Sequence, residues 1–517
     1  MTQPDASSGG SSSRLDALTS WHADWKGLRV AVLGLGVTGF AVADTLTELG
    51  ADVLVLAPER DDDRARILEV IGAKLLTHPL DAVPDALMAF GAEVLVASPG
   101  FHPDHPVLEW AAGAGVPVWG DIELAWRVRD KVRAADWILV TGTNGKTTTV
   151  QLAATLLAAN GLRAAPCGNI GVPVLDAVRD PGGFDVLVVE LSSYQLHHVP
   201  TTGPGALHPW ASVCLNLSED HLDWHGSAEA YAAAKAKVYE NTRVACVYNR
   251  ADEATRRMVE EADVAEGARA IGFGLDTPGP SDFGVVEGIL CDRAFLDERR
   301  TAAFELATLD ELEPLGLSAP HVVANILAAS ALVRSYDVPV PVVHDALLDF
   351  RLDAHRIQTV ALAGGVRWID DSKATNPHAA EASLRAFGTV VWIVGGLLKG
   401  VDADALVAAH VARLRAAIVI GRDRSALTAA FARHAPELPV FEVTADDTGL
   451  VMPEAVALAA AVAEEGDTVL LAPAAASMDQ FADYADRGRR FHEAVQAMLG
   501  GEADGDSAQD RAPRDDG

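Results

Sequence analysis

The sequence of 517 residues has few cysteines, no long apolar run and little positive charge. Its four cysteines are far apart and form no CxxC pair. This argues against a disulfide framework or a thiolate zinc site and fits a reducing compartment. No apolar run approaches the ~20 residues that a bilayer span needs, and the first residues lack a signal-peptide core. We therefore expect a cytoplasmic protein without membrane insertion.

Basic residues are scarce relative to acidic ones: 41 Lys and Arg stand against 73 Asp and Glu, and the formal net charge is −32. So acidic a surface does not attract nucleic acid or anionic lipid in general, and we expect no nucleic-acid partner. Anionic substrates would need positive charge that is concentrated locally. The apolar share of 49% is typical of globular chains and excludes a mainly disordered or collagen-like protein.

The pattern of apolar strand, glycine turn and amphipathic helix recurs along the chain, which predicts an α/β fold with parallel sheets. Joints near residues 130 and 353 divide it into three α/β blocks. The stretch 275–315, rich in Asp, Glu and Gly, is interpreted as a long loop of the central block. The predicted segments are a disordered tail at 1–20, blocks at 21–130, 131–352 and 353–499, and a disordered acidic tail at 500–517.

The strongest local motif is the glycine-rich segment 142–148, GTNGKTT, between an apolar strand and a helical stretch. Glycines let backbone N–H groups surround phosphate oxygens, and the positive end of a helix dipole adds to the attraction. Lys146 would reach the β- and γ-phosphates, and the hydroxyl of Thr147 could bind Mg²⁺. The spacing departs from GxxxxGK[ST], because Val140 stands in place of the first glycine. A turn without a ligand is the alternative, but the combination favours phosphate binding.

A second glycine loop, Gly34-Leu35-Gly36-Val37-Thr38-Gly39, matches GxGxxG after the first strand. Such a loop suits a dinucleotide and fits a nucleotide diphosphate equally well. A tight turn that binds nothing is the third interpretation, and the match alone does not separate them.

Polar residues also follow two further strands of the central block. Glu190 ends the strand FDVLVVE, where a carboxylate beside a phosphate loop is suited to hold Mg²⁺. His221 follows the next strand, and a neutral imidazole there can bind a metal. Lys235 and Lys237 point to different faces of the next helix, and a lysine binds metal only if CO₂ converts its amine to a carbamate. In isolation, a capping or ion-paired Glu190 and a solvated lysine are the simpler interpretations.

Anion-binding side chains gather on loops of the third block. The loop 370–377 carries hydroxyls and Lys373, and His355-Arg356 lies just upstream. Lys399 follows a glycine pair, and Ser477 follows another strand. Each is ordinary loop chemistry alone, but together they predict a pocket for a carboxylate substrate.

In their order along the chain, these motifs resemble those of the Mur ligase family. The resemblance spans roughly residues 28–495 and rests on TGTNGKTT, ELSSYQL, NLSEDHLDWH with YAAAKAKVYEN, HxxxNxLAA from His321, DAHR, DSKATNP and SMDQF. DSKATN with HR upstream is similar to the members that add D-glutamate. The resemblance implies a Rossmann-like N-terminal domain for the UDP end of the muramoyl precursor, a central P-loop-type ATP-binding domain, and a Rossmann-like C-terminal domain for the amino acid.

The resemblance also implies a reaction of peptidoglycan precursor synthesis. ATP would phosphorylate the terminal carboxylate of UDP-N-acetylmuramoyl-L-alanine to an acyl phosphate. The amine of D-glutamate would then attack, giving an amide, ADP and phosphate. Two Mg²⁺ ions and Lys146 would neutralise charge on the phosphoryl group. A monomer is expected.

The family's site residues carry over to positions that match its motifs. Thr147 and Glu190 match one metal site, and His221 with carbamylated Lys235 matches the other, because AAKxxxYEN aligns with the family's modified lysine. The implied catalytic residues are Lys146, Lys235, His221 and His355. The implied ATP-binding residues are Gly142, Thr143, Asn144, Gly145, Lys146, Thr147, Thr148, Asn325 and Arg356. The implied substrate-binding residues are Gly34, Gly36, Thr38, Gly39, Asn169, Ser192, Lys373, Thr375, Lys399, Ser477 and Tyr484.

Three alternative functions stay open. Another Mur ligase or a folylpolyglutamate-synthetase-like enzyme would share the ATP chemistry, and the DSKATN loop is the feature that argues against it. A nucleotide-binding regulatory or scaffold protein that has lost catalysis is disfavoured by five residues that occur together: Lys146, Thr147, Glu190, His221 and Lys235. An NAD-dependent oxidoreductase built on the loop 34–39 leaves the GTNGKTT and DSKATN segments unexplained.

Overall fold

The computed structural model describes residues 14–352, 354–398 and 402–509, with side chains up to residue 500. The chain divides into two compact units. Unit 1 comprises residues 1–311 and 322–350, and unit 2 comprises residues 312–321 and 351–517. The tail predictions for 1–13 and 510–517 and the prediction for Lys399 lie outside the described residues.

The first sheet of unit 1 has five parallel strands in the order β3-β2-β1-β4-β5. Its strands are β1 (Arg29–Leu33), β2 (Asp52–Ala57), β3 (Lys74–Thr77), β4 (Val94–Ala97) and β5 (Val118–Gly120). The helices of this segment are Val37–Glu48, Asp62–Ile71, Asp85–Phe90, Pro106–Ala114 and Asp121–Arg127. The strand order reverses between β1 and β4, so the glycine loop 34–39 lies where open α/β sheets bind ligands.

The second sheet of unit 1 has nine strands in the order β14-β13-β12-β11-β10-β9-β6-β8-β7. They are β6 (Asp136–Thr141), β7 (Ala164–Gly168), β8 (Val186–Glu190), β9 (Ala211–Cys214), β10 (Ala245–Asn249), β11 (Arg269–Phe273), β12 (Asp282–Val286), β13 (Ile289–Asp292) and β14 (Phe304–Thr308). Strands β6 to β12 pair in parallel. The central strand β6 pairs with β8 and β9, so the loops after these three strands share one edge.

Helices of this part of the chain follow the strands in the alternating order that the sequence predicts. They are Lys146–Ala159, Val174–Val178, Ser193–His198, Leu222–His225, Ala228–Ala236, Glu253–Glu261, Leu309–Leu312, Pro320–Arg334 and Val340–Asp349. Short 3₁₀ turns cover Lys237–Tyr239 and Glu313–Leu315. No single helix among the described residues is long and apolar enough to cross a membrane, although Leu309–Leu315 with Pro320–Arg334 passes that test as a bent pair.

The loop interpretation of residues 275–315 is wrong, because this stretch forms β12, β13 and β14. Strand β13 pairs antiparallel with both neighbours. Val286 pairs with Ile289, so Glu287 and Gly288 form a two-residue turn, and both have positive φ (50° and 83°). This is the backbone of a type I′ hairpin. Strands β12 and β14 were missed because they are only partly buried and carry polar residues beside the apolar ones.

Unit 2 contains a six-stranded sheet in the order β15-β16-β20-β17-β18-β19. Only β15 pairs antiparallel among these described strands. The strands are β15 (Gln358–Ala363), β16 (Val366–Asp370), β17 (Val390–Gly395), β18 (Leu414–Ile420), β19 (Val440–Glu442) and β20 (Thr468–Leu471). Its helices are Pro377–Arg385, Asp404–His410, Ser425–His434, Thr448–Val462 and Tyr484–Gln509, with a 3₁₀ turn at Val411–Arg413. Apolar clusters cover both faces of this sheet, as parallel sheets require.

The predicted disordered tails, 1–20 and 500–517, include residues that are ordered in the structure. Leu15 and Leu18 are buried in the core of unit 1, 5% and 2% exposed. The buried guanidinium of Arg127 donates hydrogen bonds to both of their carbonyl oxygens, at 3.2 and 3.0 Å. Two leucines three positions apart are too short a pattern to separate from linker composition. At the other end, the backbone of the last helix continues through Gln509.

Candidate active site

The glycine loop 142–148 leaves β6 and leads into the helix Lys146–Ala159. Gly145 precedes the helix with φ +84°, and a Cβ there would collide with Oδ1 of Asn325. Gly142 has φ +146°, and a Cβ there would lie 3.0 Å from Cβ of Leu215. Positive φ and close approach both require glycine at these two positions. Val140, by contrast, is a buried residue of β6, which explains why the loop needs no glycine there.

Asn216, which follows β9, braces the loop. The amide of Thr143 donates to the carbonyl oxygen of Asn216 at 2.9 Å, and the amide of Asn144 donates to its Oδ1 at 2.8 Å. Nδ2 of Asn216 returns a bond of 3.1 Å to the carbonyl oxygen of Asn144. The loop is therefore held in one shape by a residue that the sequence analysis placed in a motif without a role.

Lys146 and Lys235 meet at one backbone oxygen. Nζ of Lys146 donates to the carbonyl oxygens of Gly142 and Thr143, both at 2.9 Å. Nζ of Lys235 donates to the same Gly142 oxygen at 2.8 Å and to Oγ1 of Thr141 at 3.3 Å. Lys235 is 2% exposed. Two residues 89 positions apart in sequence thus bring their amines to the phosphate loop.

Burial and the nearby charge of Lys146 lower the pKa of Lys235 to about 7, although Asp220 and Glu190 act in the opposite direction. A large fraction of this amine is therefore neutral near pH 7. Only a neutral amine reacts with CO₂ to give a carbamate. Lys237 differs, because its Nζ donates to the carbonyl oxygens of His197 and Val199 at 2.7 and 3.0 Å. The two lysines thus differ in their surroundings, and the choice of Lys235 as the modified lysine stays a prediction.

Glu190, at the end of β8, is 2% exposed. Its Oε1 accepts a hydrogen bond of 3.2 Å from Nδ2 of Asn169. Its Oε2 is buried and has no hydrogen-bond partner among the described residues. A buried carboxylate oxygen without a partner is costly, and a bound cation removes that cost. The site chemistry therefore fits a divalent metal.

His221 lies at the end of the segment that follows β9 and has φ +53°. Its Nδ1 is hydrogen-bonded to the hydroxyl of Tyr194 at 2.7 Å, and its Nε2 lies 3.6 Å from Oδ2 of Asp220. The ring of Tyr231 lies 6.5 Å from that of His221 and 4.9 Å from Nζ of Lys235. His221 and Lys235 therefore flank the same tyrosine.

No group of three or more His, Cys, Asp or Glu side chains forms a metal cluster among the described residues. The predicted metal sites are not of this kind. Each combines a single residue of these types with Thr147 or Lys235.

Asn169 and Ser192 are both predicted to bind substrate, but their side chains have different partners in the structure. The amide of Asn169 donates to the carbonyl oxygen of Glu190 at 2.9 Å, so this residue lies at the predicted metal site. Ser192 caps the helix Ser193–His198 through a capping box, in which its Oγ accepts from the amide of Gln195 at 3.1 Å. The Ser192 hydroxyl is thus engaged in holding the helix.

The loop 34–39 turns tightly against the end of β4. Gly34 has φ +102°, and a Cβ there would lie 2.8 Å from Oγ of Ser98. A Cβ on Gly39 would collide with the carbonyl oxygen of Gly34. Gly36 is exposed and precedes the helix Val37–Glu48, with Thr38 in its first turn. The loop thus offers an exposed helix N-terminus to an anion.

In unit 2, Lys373 and Tyr484 lie together. Nζ of Lys373 is 3.2 Å from the hydroxyl of Tyr484 and 4.8 Å from its ring centre. The amide of Thr375 donates to the carbonyl oxygen of Lys373 at 2.9 Å. Three of the predicted substrate-binding residues therefore form one cluster.

Arg487 organises the loops around this cluster, and the sequence analysis missed it. The side chain is fully buried and donates to the carbonyl oxygen of Ser372 at 2.8 Å and to that of Ala475 at 3.1 Å. It thereby ties the loop before Lys373 to the loop that carries Ser477. Burial lowers the pKa of Arg487 to about 10, so it stays charged at neutral pH. No sequence signal separates it from the other arginines of the last helix.

His355 pairs with a buried carboxylate of unit 2. Its Nδ1 lies 2.6 Å from Oδ2 of Asp370, which is fully buried. This hydrogen bond raises the pKa of His355 against the effect of burial. Burial also raises the pKa of the adjacent Asp371 to about 6, while its hydrogen bond from Ser383 and the charge of Arg356 act to lower it. Arg356 therefore lies close enough to Asp371 to act on its charge.

Models of three domain families match the chain in sequence order. They are the MurD-like N-terminal domain of Mur ligases at 28–120, the Mur ligase middle domain at 140–333 and the Mur ligase glutamate ligase domain at 355–475. The three-domain α/β architecture is confirmed. The predicted boundaries after residues 130 and 352 stay predictions.

Two curated relatives, both called UDP-N-acetylmuramoylalanine–D-glutamate ligase, cover nearly the whole chain. The protein of Leifsonia xyli subsp. xyli is 68% identical over 97% of this chain and 98% of its own length. That of Streptomyces avermitilis is 53% identical over 92% of this chain and 99% of its own length.

Solved structures share the fold at low identity. A pseudomurein peptide ligase type C from Methanothermus fervidus gives a TM-score of 0.55 at 18% identity, covering 91% of this chain and 99% of that one. UDP-N-acetylmuramate-alanine ligase from Thermotoga maritima gives 0.53 at 19% identity with the same coverage. Three consecutive domain matches and relatives of more than half identity over almost the entire length show that this chain belongs to the Mur ligase family.

Proposed function

We propose that this chain is an ATP-dependent amide ligase that joins D-glutamate to UDP-N-acetylmuramoyl-L-alanine through an acyl phosphate. The observation that carries the proposal is the meeting of Lys146 and Lys235 at the carbonyl oxygen of Gly142, inside a glycine loop that opens a helix. The names of the two relatives support the choice of substrates.

ATP would bind at the loop 142–148. Backbone amides of the loop and the N-terminus of the helix Lys146–Ala159 are suited to the phosphates. Lys146 would move from its present carbonyl acceptors to the phosphate oxygens, which are stronger acceptors because they are charged. Asn325, which touches the loop at Gly145, would contact the nucleotide from the facing helix.

Two Mg²⁺ ions fit the residues present. Thr147 and Glu190 would hold one, and the unpaired Oε2 of Glu190 is the observation that supports this site. His221 and the carbamate of Lys235 would hold the other. Carbamate formation joins the neutral amine to CO₂ with loss of one proton, and the pKa of about 7 for Lys235 supports it. Bound Mg²⁺ supplies positive charge to the phosphate oxygens.

The reaction requires two displacements. A carboxylate oxygen of the L-alanine moiety attacks the γ-phosphorus, and ADP leaves. The neutral amine of D-glutamate then attacks the acyl carbon, and phosphate leaves as the amide forms. Lys146 would hold the charge of the transferring group throughout. His355, oriented by Asp370, is the group that we assign to accept the proton of the amine.

The amino acid would bind in unit 2. Lys373 supplies a cation, and Thr375, Ser477 and Tyr484 supply hydroxyls for the two carboxylates of D-glutamate. Lys399 belongs to this proposed set by its motif. The loop of Gly34, Gly36, Thr38 and Gly39 would hold the diphosphate of the UDP moiety at its helix N-terminus. We further expect the enzyme to act as a cytoplasmic monomer.

A panel of amines tests the proposal. The protein is incubated with ATP, Mg²⁺, UDP-N-acetylmuramoyl-L-alanine and one amino acid at a time, and the products are identified by mass spectrometry. We expect an amide with D-glutamate and none with L-alanine, L-glutamate or meso-diaminopimelate. Ligation of a different amine, or of none, contradicts the proposed substrates.

A further inference from the structure

The ring of Tyr194 is fixed by aromatic neighbours. Tyr194 lies in the first turn of the helix Ser193–His198. Its ring stands 4.5 Å from that of Trp224, at an interplanar angle of 33°, and 5.7 Å from that of His225. Trp224 is buried. Since the ring packs on these neighbours, the position of its hydroxyl is well defined.

The hydroxyl of Tyr194 reaches His221. The distance from this oxygen to Nδ1 is 2.7 Å, a normal hydrogen bond. The backbone of His221 is held as well, because its amide donates to Oδ1 of Asp220 at 2.9 Å and its carbonyl oxygen accepts from the amides of Trp224 and His225. His221 adopts φ +53°, a conformation that is uncommon for residues other than glycine. Backbone and ring are therefore tethered separately.

We propose that Tyr194 is a positioning residue that presents Nε2 of His221 to a divalent metal. The inference rests on the proposed function, which makes His221 a metal ligand. The hydroxyl occupies Nδ1 and fixes the ring plane, so Nε2 is the nitrogen that would reach the ion. Nε2 already lies 3.6 Å from Oδ2 of Asp220, where the negative charge favours a cation. In histidines that bind metals, one ring nitrogen generally binds the ion and the other forms a hydrogen bond that fixes the ring.

Tyr194→Phe isolates the hydroxyl, because the phenyl ring keeps the packing on Trp224. Loss of the hydrogen-bond partner of a metal-binding histidine typically weakens metal binding about 10- to 100-fold. Tyr336→Phe is the matched control: its hydroxyl is hydrogen-bonded to Oδ2 of Asp136 at 3.0 Å, away from the glycine loop.

The first measurement uses the metal-free protein. With ring-¹³C-labelled histidine, the resonance of His221 is assigned by its loss in His221→Gln. We expect Tyr194→Phe to shift this resonance, because Nδ1 loses its partner, and Tyr336→Phe to leave it in place. An unchanged His221 resonance in Tyr194→Phe overturns the proposal. This measurement needs no turnover, so it is independent of whether D-glutamate is ligated.

The second measurement is a titration with Mn²⁺ in the presence of ATP, followed by electron paramagnetic resonance. We expect Tyr194→Phe to weaken Mn²⁺ binding about 10- to 100-fold, with no change in Tyr336→Phe. A shifted His221 resonance together with unchanged Mn²⁺ affinity also overturns the proposal, because the hydroxyl would then orient the ring without serving the metal.

Discussion

Lys146 and Lys235 donate hydrogen bonds to one acceptor, the carbonyl oxygen of Gly142, at 2.9 and 2.8 Å. Burial and, after it, the repulsion between two protonated amines so close together lower the pKa of Lys235 to about 7. Such a pair is stable only if anions balance it or one amine stays neutral. Phosphate bound at Lys146 would meet the first condition, and conversion of Lys235 to a carbamate would replace its positive charge with a negative one.

Replacement of Lys146 tests the first condition. We expect Lys146→Ala to lose at least about 10²- to 10³-fold in turnover, because the transferring phosphoryl group would lose the cation proposed to neutralise its charge. The control is Lys131→Ala, which removes a lysine that is ion-paired with Glu48 on the surface. Turnover measured by ADP formation should be retained in the control. Near-normal turnover of Lys146→Ala would remove the loop from the mechanism.

Replacement of Lys235 tests the carbamate. We expect Lys235→Ala to be inactive and to regain part of its turnover when formate or acetate is added, because a small carboxylate can occupy the place of the carbamate oxygens. Lys237→Ala is the matched control on the same stretch of chain, and its rate should not respond to carboxylates. A Lys235→Ala enzyme with an unchanged rate would reject the carbamate role.

The same lysine should make stability depend on pH. The pKa of Lys235 is lowered in the folded state, to about 7 from an ordinary 10.5. Burying its charge therefore destabilises the fold fully below pH 7, and this cost disappears as pH rises from 7 towards 10.5. We expect Lys235→Met to raise the urea midpoint of the ligand-free protein at pH 6 in CO₂-depleted buffer, and to raise it much less at pH 9. Equal gains at both pH values would contradict the lowered pKa.

Gly145 offers a test of the loop's shape. Gly145→Ala places a residue with φ +84° against Oδ1 of Asn325, so we expect a stability loss of about 1–3 kcal/mol from strain and a weaker affinity for ATP. Gly161→Ala is the matched control. Gly161 has nearly the same φ, +82°, but a Cβ added there would meet no other atom of the described residues. The control should lose stability through backbone strain alone and keep its ATP affinity.

A double variant separates the collision from the strain. Asn325→Ala removes the atom that a Cβ at Gly145 would meet, so Gly145→Ala combined with it should cost less stability than the sum of the two single changes. Additive losses would show that Asn325 does not constrain the loop.

The pKa of His355 should depend on its contact with Asp370. The hydrogen bond that His355 donates to Asp370 raises the pKa of His355, so the pair stabilises the fold below the ordinary histidine pKa and this gain is lost as pH rises through the raised value. We expect Asp370→Asn to lower the pKa of His355, measured by NMR titration of its ring. A pKa that does not fall would leave the raised value without its physical cause.

The parallel core was predictable from sequence because its strands are buried on both faces and read as continuous apolar runs. The runs before Gly34, Gly142 and Gly395 all became strands of the expected sheets. The antiparallel part, β12 to β14, was not predictable in the same way. In β12 and β14, exposed and polar positions interrupt the apolar ones, so neither strand reads as a continuous apolar run.

The proposed site residues also differ in how far the sequence could predict them. Lys146 and Glu190 could be proposed as site residues from sequence because each lies next to its strand within a motif, and β6 and β8 are neighbours that end at one edge of the sheet. Arg487 and Tyr194 act through bonds to Ser372 and His221, which are distant in sequence, and no local pattern announces such contacts. The role proposed for Lys235 came from the resemblance; in the structure, burial and different hydrogen-bond acceptors distinguish it from Lys237.

The release of phosphate from ATP tests the central claim most directly. The protein is mixed with ATP and Mg²⁺, and phosphate is followed with each substrate alone and with both. We expect sustained release only when UDP-N-acetylmuramoyl-L-alanine and D-glutamate are present together, with one phosphate per amide formed. Sustained release that does not depend on D-glutamate would contradict the account.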